Sequence, residues 1–302
     1  MRIAMSGSTG LIGTALADSL RREGAEVLRL VRRPATSAGE AQWDPLAGAG
    51  GLDPAVLSGT DAVVHLSGAP LASRRWTASR KQELRASRIA STTTLVTAMT
   101  AAQPPPAVLL SGSAIGWYGD TGEREVDESS PGGSGFLAAL ARDWEAATRP
   151  ASAAGIRVVN LRTGVVLSRR GGMLAALLPL FRLGLGPRLG TGRQYLSWIS
   201  LADEVGAARF LLDHDQIQGP VNLTAPHPVT NTEFTAALAS TLGRPARLRL
   251  PAPLLRAGLG ELSSELLASA RVLPRNLEKA GYAFRYPDVN TALAAELKSR
   301  GG

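Results

Sequence analysis

The chain has 302 residues, of which 44% are hydrophobic and 19% charged, and this composition predicts a globular protein of one large or two closely joined domains. It contains no cysteine, which excludes disulfides, thiolate metal sites and cysteine nucleophiles and favours a cytoplasmic location. No apolar run reaches the roughly 18 residues of a membrane span, and the histidines lie too far apart for a metal site, so we expect no bound metal.

The formal net charge of +8 raises the question of an anionic partner. Nucleic acid is one candidate, but the arginines are spread along the chain without an aromatic-interleaved cluster or a lysine-rich arm. We therefore expect a small anionic ligand, and not nucleic acid, to use the charge. Since no apolar run is long enough for a membrane span, we also expect no membrane as a partner.

The N-terminus shows a strand, a glycine turn and a helix in succession. A short apolar run, residues 3–5, predicts a buried strand, and glycines follow at three-residue spacing before the pattern becomes helical. In that context the glycines allow a tight turn and a close approach of the pyrophosphate of a dinucleotide to a helix N-terminus. The alternative is an ordinary glycine-rich turn. The predicted cofactor-binding residues of this turn are Gly7, Ser8, Thr9, Gly10, Leu11, Ile12 and Gly13.

The second predicted strand, residues 26–31, ends in Arg32 and Arg33. An adenosine ribose is read at this place, where an acidic residue favours NAD and a guanidinium suits a 2′-phosphate. The pair therefore predicts NADP as the cofactor, with NADPH preferred over NADH. The alternative is that both arginines are solvated surface.

Further buried strands are predicted at 62–66, 107–110 and 157–161, alternating with helices. This alternation predicts an α/β fold of the Rossmann type, a doubly wound parallel sheet, with a smaller C-terminal substrate lobe. We assign residues 1–165 and about 195–225 to the NADP-binding domain, and about 166–194 and 226–302 to the lobe. Residues 226–302 are expected to hold two or three helices and one strand, 248–250.

The chain contains several longer motifs, among them Trp43-Asp44-Pro45, Leu66-Ser67-Gly68-Ala69-Pro70, Arg75-Trp76-Thr77, Ser111-Gly112-Ser113-Ala114, Phe181-Arg182-Leu183-Gly184-Leu185-Gly186 and Ala283-Phe284-Arg285. Together with the glycine turn, they make the chain resemble the extended short-chain dehydrogenase/reductases, a part of the NAD-dependent epimerase/dehydratase superfamily. More narrowly, these motifs resemble those of an atypical subgroup, the epimerase family proteins, which have a small C-terminal domain.

The resemblance implies bound NADP and a serine at the end of the fourth strand, Ser113, that polarises the reacting oxygen. Further cofactor contacts are expected at Leu66, Ser67, Gly68, Ala69, Arg88, Ser111, Gly112 and Arg162.

The chain departs from the superfamily where a Tyr-x-x-x-Lys pair moves the proton. Phe136 and Leu140 stand at those positions, and neither can donate a proton or lower a neighbour's pKa. Tyr118 is the best substitute phenol, with Arg162 or Arg88 as its electrostatic partner, and a packing role is its alternative.

Two further residues, Arg193 and Asn222, are candidate substrate contacts, with loop structure as their alternative. These patterns predict an NADP-dependent epimerase-like or oxidoreductase reaction on a small hydroxyl or carbonyl substrate. The alternative is a catalytically silent NADP(H) sensor. The sequence leaves monomer and homodimer open.

Overall fold

The computed structural model describes residues 1–71 and 74–298, so the last residues of the predicted lobe, 299–302, lie outside the described part. The strands are β1 (Arg2–Ser6), β2 (Glu26–Val31), β3 (Glu40–Gln42), β4 (Ala62–His65), β5 (Val108–Ala114), β6 (Glu125–Val126), β7 (Arg157–Thr163), β8 (Val165–Leu167), β9 (Pro187–Leu189), β10 (Tyr195–Leu196), β11 (Trp198–Ser200), β12 (Gly219–Leu223), β13 (Val229–Thr230), β14 (Leu248–Leu250) and β15 (Arg271–Val272). The helices are α1 (Leu11–Arg22), α2 (Ala78–Ala101), α3 (Phe136–Ala146), α4 (Arg149–Ala153), α5 (Gly172–Arg182), α6 (Leu201–Asp213), α7 (Asn231–Leu242), α8 (Ala252–Leu259), α9 (Leu262–Leu267), α10 (Arg275–Lys279) and α11 (Val289–Lys298).

Seven strands form one parallel sheet in the order β12-β7-β5-β4-β1-β2-β3. The central strand β1 pairs with β2 on one side and with β4 on the other, so that Ile3 lies between Val27 and Ala62. The strand order reverses between β1 and β4, which is where a doubly wound sheet opens its ligand crevice. The predicted Rossmann-type sheet is confirmed, and β3 is an edge strand that the sequence analysis did not identify.

Both faces of the sheet are covered, which explains the apolar runs in its central strands. On one face, side chains such as Met5 and Leu110 pack with α1 and α6. On the other, side chains such as Leu109 pack with α2 and α4. The helices therefore hold the carboxyl ends of β1, β4 and β5 in a fixed arrangement.

A separate apolar cluster lies outside the sheet and joins α5, α7 and α11 around Phe181, Trp198, Phe234 and Leu293. Four short strand pairs also lie outside the seven-stranded sheet: β6–β15, β8–β11, β9–β14 and β10–β13. After residue 226 the described chain has five helices, not two or three, because Gly243, Gly260 and two prolines divide the segment. The predicted strand 248–250 is present, and the division into two lobes stays a prediction.

No helix in residues 1–71 and 74–298 is both long and apolar enough to cross a bilayer. Within the same ranges no group of His, Asp and Glu side chains is placed to hold a metal ion.

Candidate functional site

The glycine turn between β1 and α1 is packed too tightly for any side chain at two of its positions. Gly7 has a φ of +68°, and a Cβ there would lie 2.5 Å from the carbonyl carbon of Leu66. A Cβ on Gly13 would lie 2.2 Å from the carbonyl oxygen of Gly7. Gly10 begins the helix without a side-chain cap, and the first turn of α1 has no acidic residue. The helix N-terminus is thus open to an anion.

A cavity of about 830 Å³ lies directly in front of this turn, at the point where the strand order reverses. Its size suits a large part of a dinucleotide. The structure brings ten of the predicted cofactor residues together in its wall: Gly7, Ser8, Thr9, Gly10, Arg32, Arg33, Leu66, Ser67, Gly68 and Ala69.

The two arginines after β2 differ in their environments. The guanidinium of Arg33 donates to both carboxylate oxygens of Glu40, at 2.8 and 2.7 Å, and Arg29 also pairs with Glu40. The hydrogen bonds from Arg33 and from the backbone of Thr36 hold the pKa of Glu40 well below its usual range. Arg32 has no hydrogen-bond or ion-pair partner among residues 1–71 and 74–298. Among the described residues, Arg32 is therefore the arginine of this wall whose guanidinium donors are not held by a protein partner.

The opposite wall, residues 66–70, is held in place by a buried cation. Arg88 donates from Nη2 to the carbonyl of Ala69 at 3.1 Å and lies directly behind Gly68. Burial and the neighbouring Arg80 lower the pKa of Arg88 to about 10. Arg88 thus supports the wall from outside the cavity. His65 is a core residue: it is fully buried, and its Nδ1 lies 2.6 Å from the hydroxyl of Ser6.

A polar network lies at the carboxyl ends of three neighbouring strands. Ser113 of β5, Arg162 of β7 and Asn222 of β12 stand side by side in the sheet. Ser113 donates from Oγ to Oε1 of Glu145 at 2.7 Å, and Arg162 binds both oxygens of the same carboxylate at 2.8 and 2.9 Å. Arg162 also donates to the hydroxyl of Tyr118 at 3.0 Å, and that hydroxyl donates to Asn222 at 2.8 Å. The five side chains form one connected chain of hydrogen bonds.

The charges in this network are balanced. The side chains of Glu145 and Arg162 are only 10% and 3% exposed, so each neutralises a charge that would otherwise be costly to bury. Burial alone would lower the pKa of Arg162, but the hydrogen bond and charge of Glu145, with the hydroxyl of Tyr118, raise it overall. Burial also raises the pKa of Tyr118 to about 12, even though Arg162 is adjacent.

The positions of the missing Tyr-x-x-x-Lys pair lie in an apolar cluster. Phe136 packs edge-on against Trp76, with ring centroids 5.2 Å apart. Leu140 is 3% exposed and belongs to the same cluster, to which α9 contributes Leu262. The site of the usual acid–base unit is therefore filled by side chains that join α3 to the C-terminal part of the chain.

The two candidate substrate residues, Arg193 and Asn222, lie in different environments. The side chain of Arg193 is 81% exposed and pairs with Glu123 at 3.3 Å. In the described part of the chain, this pair has no hydrogen bond to the polar network. Asn222 is fully buried and donates from Nδ2 to the carbonyl of Leu273, so its side chain joins the sheet to the C-terminal segment. Seven of the predicted cofactor residues are not part of the cavity wall: Leu11, Ile12, Gly13, Arg88, Ser111, Gly112 and Arg162.

Three carboxylates that the sequence analysis overlooked now stand out: Glu40, Glu145 and Glu204. Glu145 follows Ala138 and Ala141 at the spacing of one helix face, and both alanines are buried, so a charge in a buried stripe was a detectable signal. Glu204 is 1% exposed and accepts a hydrogen bond from Thr163 at 2.9 Å, while burial raises its pKa to about 8. Glu40 had no distinguishing pattern.

A glycine turn at the switch point of a parallel sheet, facing a large cavity with a cation at the end of β2, defines a Rossmann-type fold of the dinucleotide-binding class. Residues 3–223 match the NAD dependent epimerase/dehydratase family, and residues 250–296 match a domain of unknown function. The chain belongs to the NAD dependent epimerase/dehydratase family, in agreement with the resemblance seen in the sequence.

Relatives extend over nearly the whole chain. An epimerase family protein of Mycobacterium bovis is 50% identical over 96% of both chains. The crystal structure of human epimerase family protein SDR39U1 (isoform 2) with NADPH is 34% identical, covers 99% of this chain and 100% of the human one, and has a TM-score of 0.91. A nucleoside-diphosphate sugar epimerase from Corynebacterium glutamicum is 37% identical, with a TM-score of 0.82, and covers 98% of this chain and 58% of its own.

Proposed function

We propose that this protein binds NADP(H) in the cavity in front of the glycine turn and prefers NADPH to NADH. The observation that carries the proposal is Arg32, whose guanidinium lies in the cavity wall just after β2 and has no partner in the described part of the chain. A 2′-phosphate placed there would gain a charge-assisted hydrogen bond that a 2′-hydroxyl cannot match. The human relative crystallised with NADPH supports the same cofactor.

The residues of the cavity fit the other parts of such a cofactor. The uncapped N-terminus of α1 suits the pyrophosphate, and the small residues Ser67, Gly68 and Ala69 leave room for a flat ring against the backbone. When bound, the cofactor supplies hydride transfer. Isothermal titration calorimetry of the purified protein with NADPH and then NADH tests the proposal. Binding of neither cofactor, or equal binding of both, would contradict it.

For the reaction we propose an epimerase-like or redox step on a small hydroxyl or carbonyl substrate. Ser113 is the group that would contact the reacting oxygen, since it stands at the carboxyl end of β5. Its hydroxyl donates a hydrogen bond to Glu145 at 2.7 Å, and Glu145 is itself held by Arg162, so the serine oxygen is oriented to accept a hydrogen bond from a substrate hydroxyl, whereas a carbonyl would have to compete with Glu145 for the serine proton. The network therefore supplies polar groups at the end of β5, although the positions of the missing Tyr-x-x-x-Lys pair are apolar.

Tyr118 remains a candidate phenol for proton transfer, but its environment favours the packing role. It is 2% exposed, its hydroxyl already has two protein partners, and a pKa of about 12 makes it a weak acid near neutral pH.

The role of Ser113 is tested with Ser113→Ala in a screen of carbonyl compounds and nucleotide sugars with NADPH. We expect turnover to be lost while the affinity for NADPH stays within about twofold, because the serine lies outside the cavity wall. Equal turnover in the variant would exclude Ser113 from the reaction.

A catalytically silent NADP(H) sensor is the second candidate, and the apolar cluster around Phe136 favours it. This cluster couples α3 to α9 through Leu140 and Leu262, so a change at the cofactor site could reach the C-terminal helices. A sensor would turn over no compound in the screen. It would instead change the hydrogen exchange of residues 252–267 when NADPH binds.

A further inference from the structure

The positive charge of the chain is concentrated in two segments. Residues 166–194 and 244–260 contain nine arginines and no acidic residue. Since the net charge of the whole chain is +8, the remainder of the chain carries one net negative charge. The positive character of this protein thus belongs to a small part of its sequence.

The fold places parts of these two segments side by side. Strand β9 pairs with β14, so that Arg188 stands opposite Arg249, and Leu185 forms an isolated bridge with Ala246. Helix α5 ends just before the first segment enters this pairing, and α8 begins two residues after β14. The pairing therefore brings two basic segments that are about 60 residues apart in the chain next to each other.

The same region exposes leucine side chains. Of the seven large hydrophobic side chains that are exposed in the described part of the chain, five lie at residues 180–185 and 248–254. Leu183 is 73% exposed, Leu254 is 60% exposed and Leu248 is 48% exposed. We call the surface formed by Arg182, Leu183, Leu185, Arg244, Arg247, Leu248, Arg249, Leu254 and Arg256 the Leu–Arg patch.

The arginines of the Leu–Arg patch are not used inside the protein. Arg182, Arg244, Arg247, Arg249 and Arg256 are all exposed, and none has an ion-pair partner within residues 1–71 and 74–298. Exposed leucines beside unpaired cations are unfavourable unless something covers them, because apolar surface is left in water and like charges repel.

We propose that the Leu–Arg patch docks this protein on the surface of an anionic phospholipid bilayer. The arginines would pair with the lipid phosphates, and the leucines would be buried where the headgroups meet the acyl chains. Both the charged and the apolar side chains of the patch would then have partners. Nucleic acid would leave the leucines in water, and a second copy of the patch would repel the first. A protein interface would be expected to have aromatic anchors, but the only aromatic residue of the two segments, Phe181, is buried.

This proposal differs from the expectation that no membrane is a partner. That expectation rested on the lack of an apolar run long enough to span a membrane, which does not bear on a charged surface patch. The pairing of β9 with β14 is what brings the two basic segments together.

Vesicle co-sedimentation tests the docking, with phosphatidylcholine vesicles and with vesicles that contain about 30% phosphatidylglycerol, at about 50 mM and about 500 mM salt. We expect binding to the anionic vesicles at low salt and little binding to the neutral ones. The double variant Arg247→Glu/Arg249→Glu should bind at least about 25-fold more weakly, since each arginine near such a surface contributes about fivefold.

A matched control keeps the same change in net charge elsewhere on the protein. Arg22 and Arg124 are exposed and lie outside both segments, so Arg22→Glu/Arg124→Glu should keep most of the binding. The apolar half is tested with Leu183→Ser/Leu248→Ser, which should weaken binding without changing its dependence on salt. All variants should keep the thermal midpoint of the wild type, because the substituted side chains are exposed.

Absence of binding to anionic vesicles at low salt would overturn the proposal. So would equal loss of binding in the patch variant and the control, or binding to a DNA duplex in preference to the vesicles.

Discussion

The unequal roles of the two arginines after β2 can be tested by removing each one separately. Arg32 has no partner in the described residues, whereas both donor nitrogens at the end of Arg33 already bind Glu40. In Arg32→Ala the 2′-phosphate would lose a charge-assisted hydrogen bond, which contributes about 1.5–3 kcal/mol. The Kd for NADPH should therefore rise about 10- to 150-fold, while the Kd for NADH should hardly change.

Arg33→Ala is the matched comparison, since it removes the same group one residue along the chain. Both of its terminal nitrogens are held by Glu40 and are not free to bind a phosphate, so we expect a rise in the Kd for NADPH of no more than about threefold. Calorimetric titration of both variants with both cofactors gives the four values needed. If Arg33→Ala weakened NADPH as much as Arg32→Ala, or if Arg32→Ala weakened NADH equally, the reasoning from the ion pairs would be refuted.

Three further predictions concern buried groups. Glu145→Gln should lower the free energy of unfolding by about 3–5 kcal/mol, measured in urea, because it leaves the buried charge of Arg162 without a counterion. A loss below about 1 kcal/mol would show that this ion pair does not stabilise the fold. Leu140→Lys should destabilise the protein by more than about 4 kcal/mol, because Leu140 is only 3% exposed and is surrounded by apolar side chains. We therefore do not expect the new lysine to restore an acid–base unit. A variant as stable as the wild type in urea unfolding would contradict the packing described. Burial raises the pKa of Glu204 to about 8 in the folded state, whereas an unfolded glutamate releases its proton near pH 4 to 5. Between these values the folded state binds one proton more than the unfolded state. The free energy of unfolding should therefore fall with rising pH across this window, by up to about 1.4 kcal/mol per pH unit. Glu204→Gln should remove that slope, and urea titrations at pH 5, 6.5 and 8 that show the same slope in both proteins would disprove it.

The sheet could be predicted from the sequence because each strand carries a local signal. The runs at 26–31 and 157–161 have apolar residues on both faces, which is typical of a covered parallel sheet. The prediction was wrong in number after residue 226, where five helices, three of them of eight residues or fewer, stand in place of two or three. Helices of five to eight residues, such as α8 and α10, are too short to show a periodic pattern.

The amino-acid sequence by itself determined the dinucleotide-binding turn, since Gly7 and Gly13 have no room for a side chain and this requirement is visible in their spacing. Only the tertiary structure decided which charges remain available to a ligand. Ser113 reaches Glu145 across 32 residues of chain, and Arg162 reaches it across 17. The strength of such contacts depends on the distance between the atoms in three dimensions. Spacing along the chain does not give that distance when the partners lie on different strands and helices.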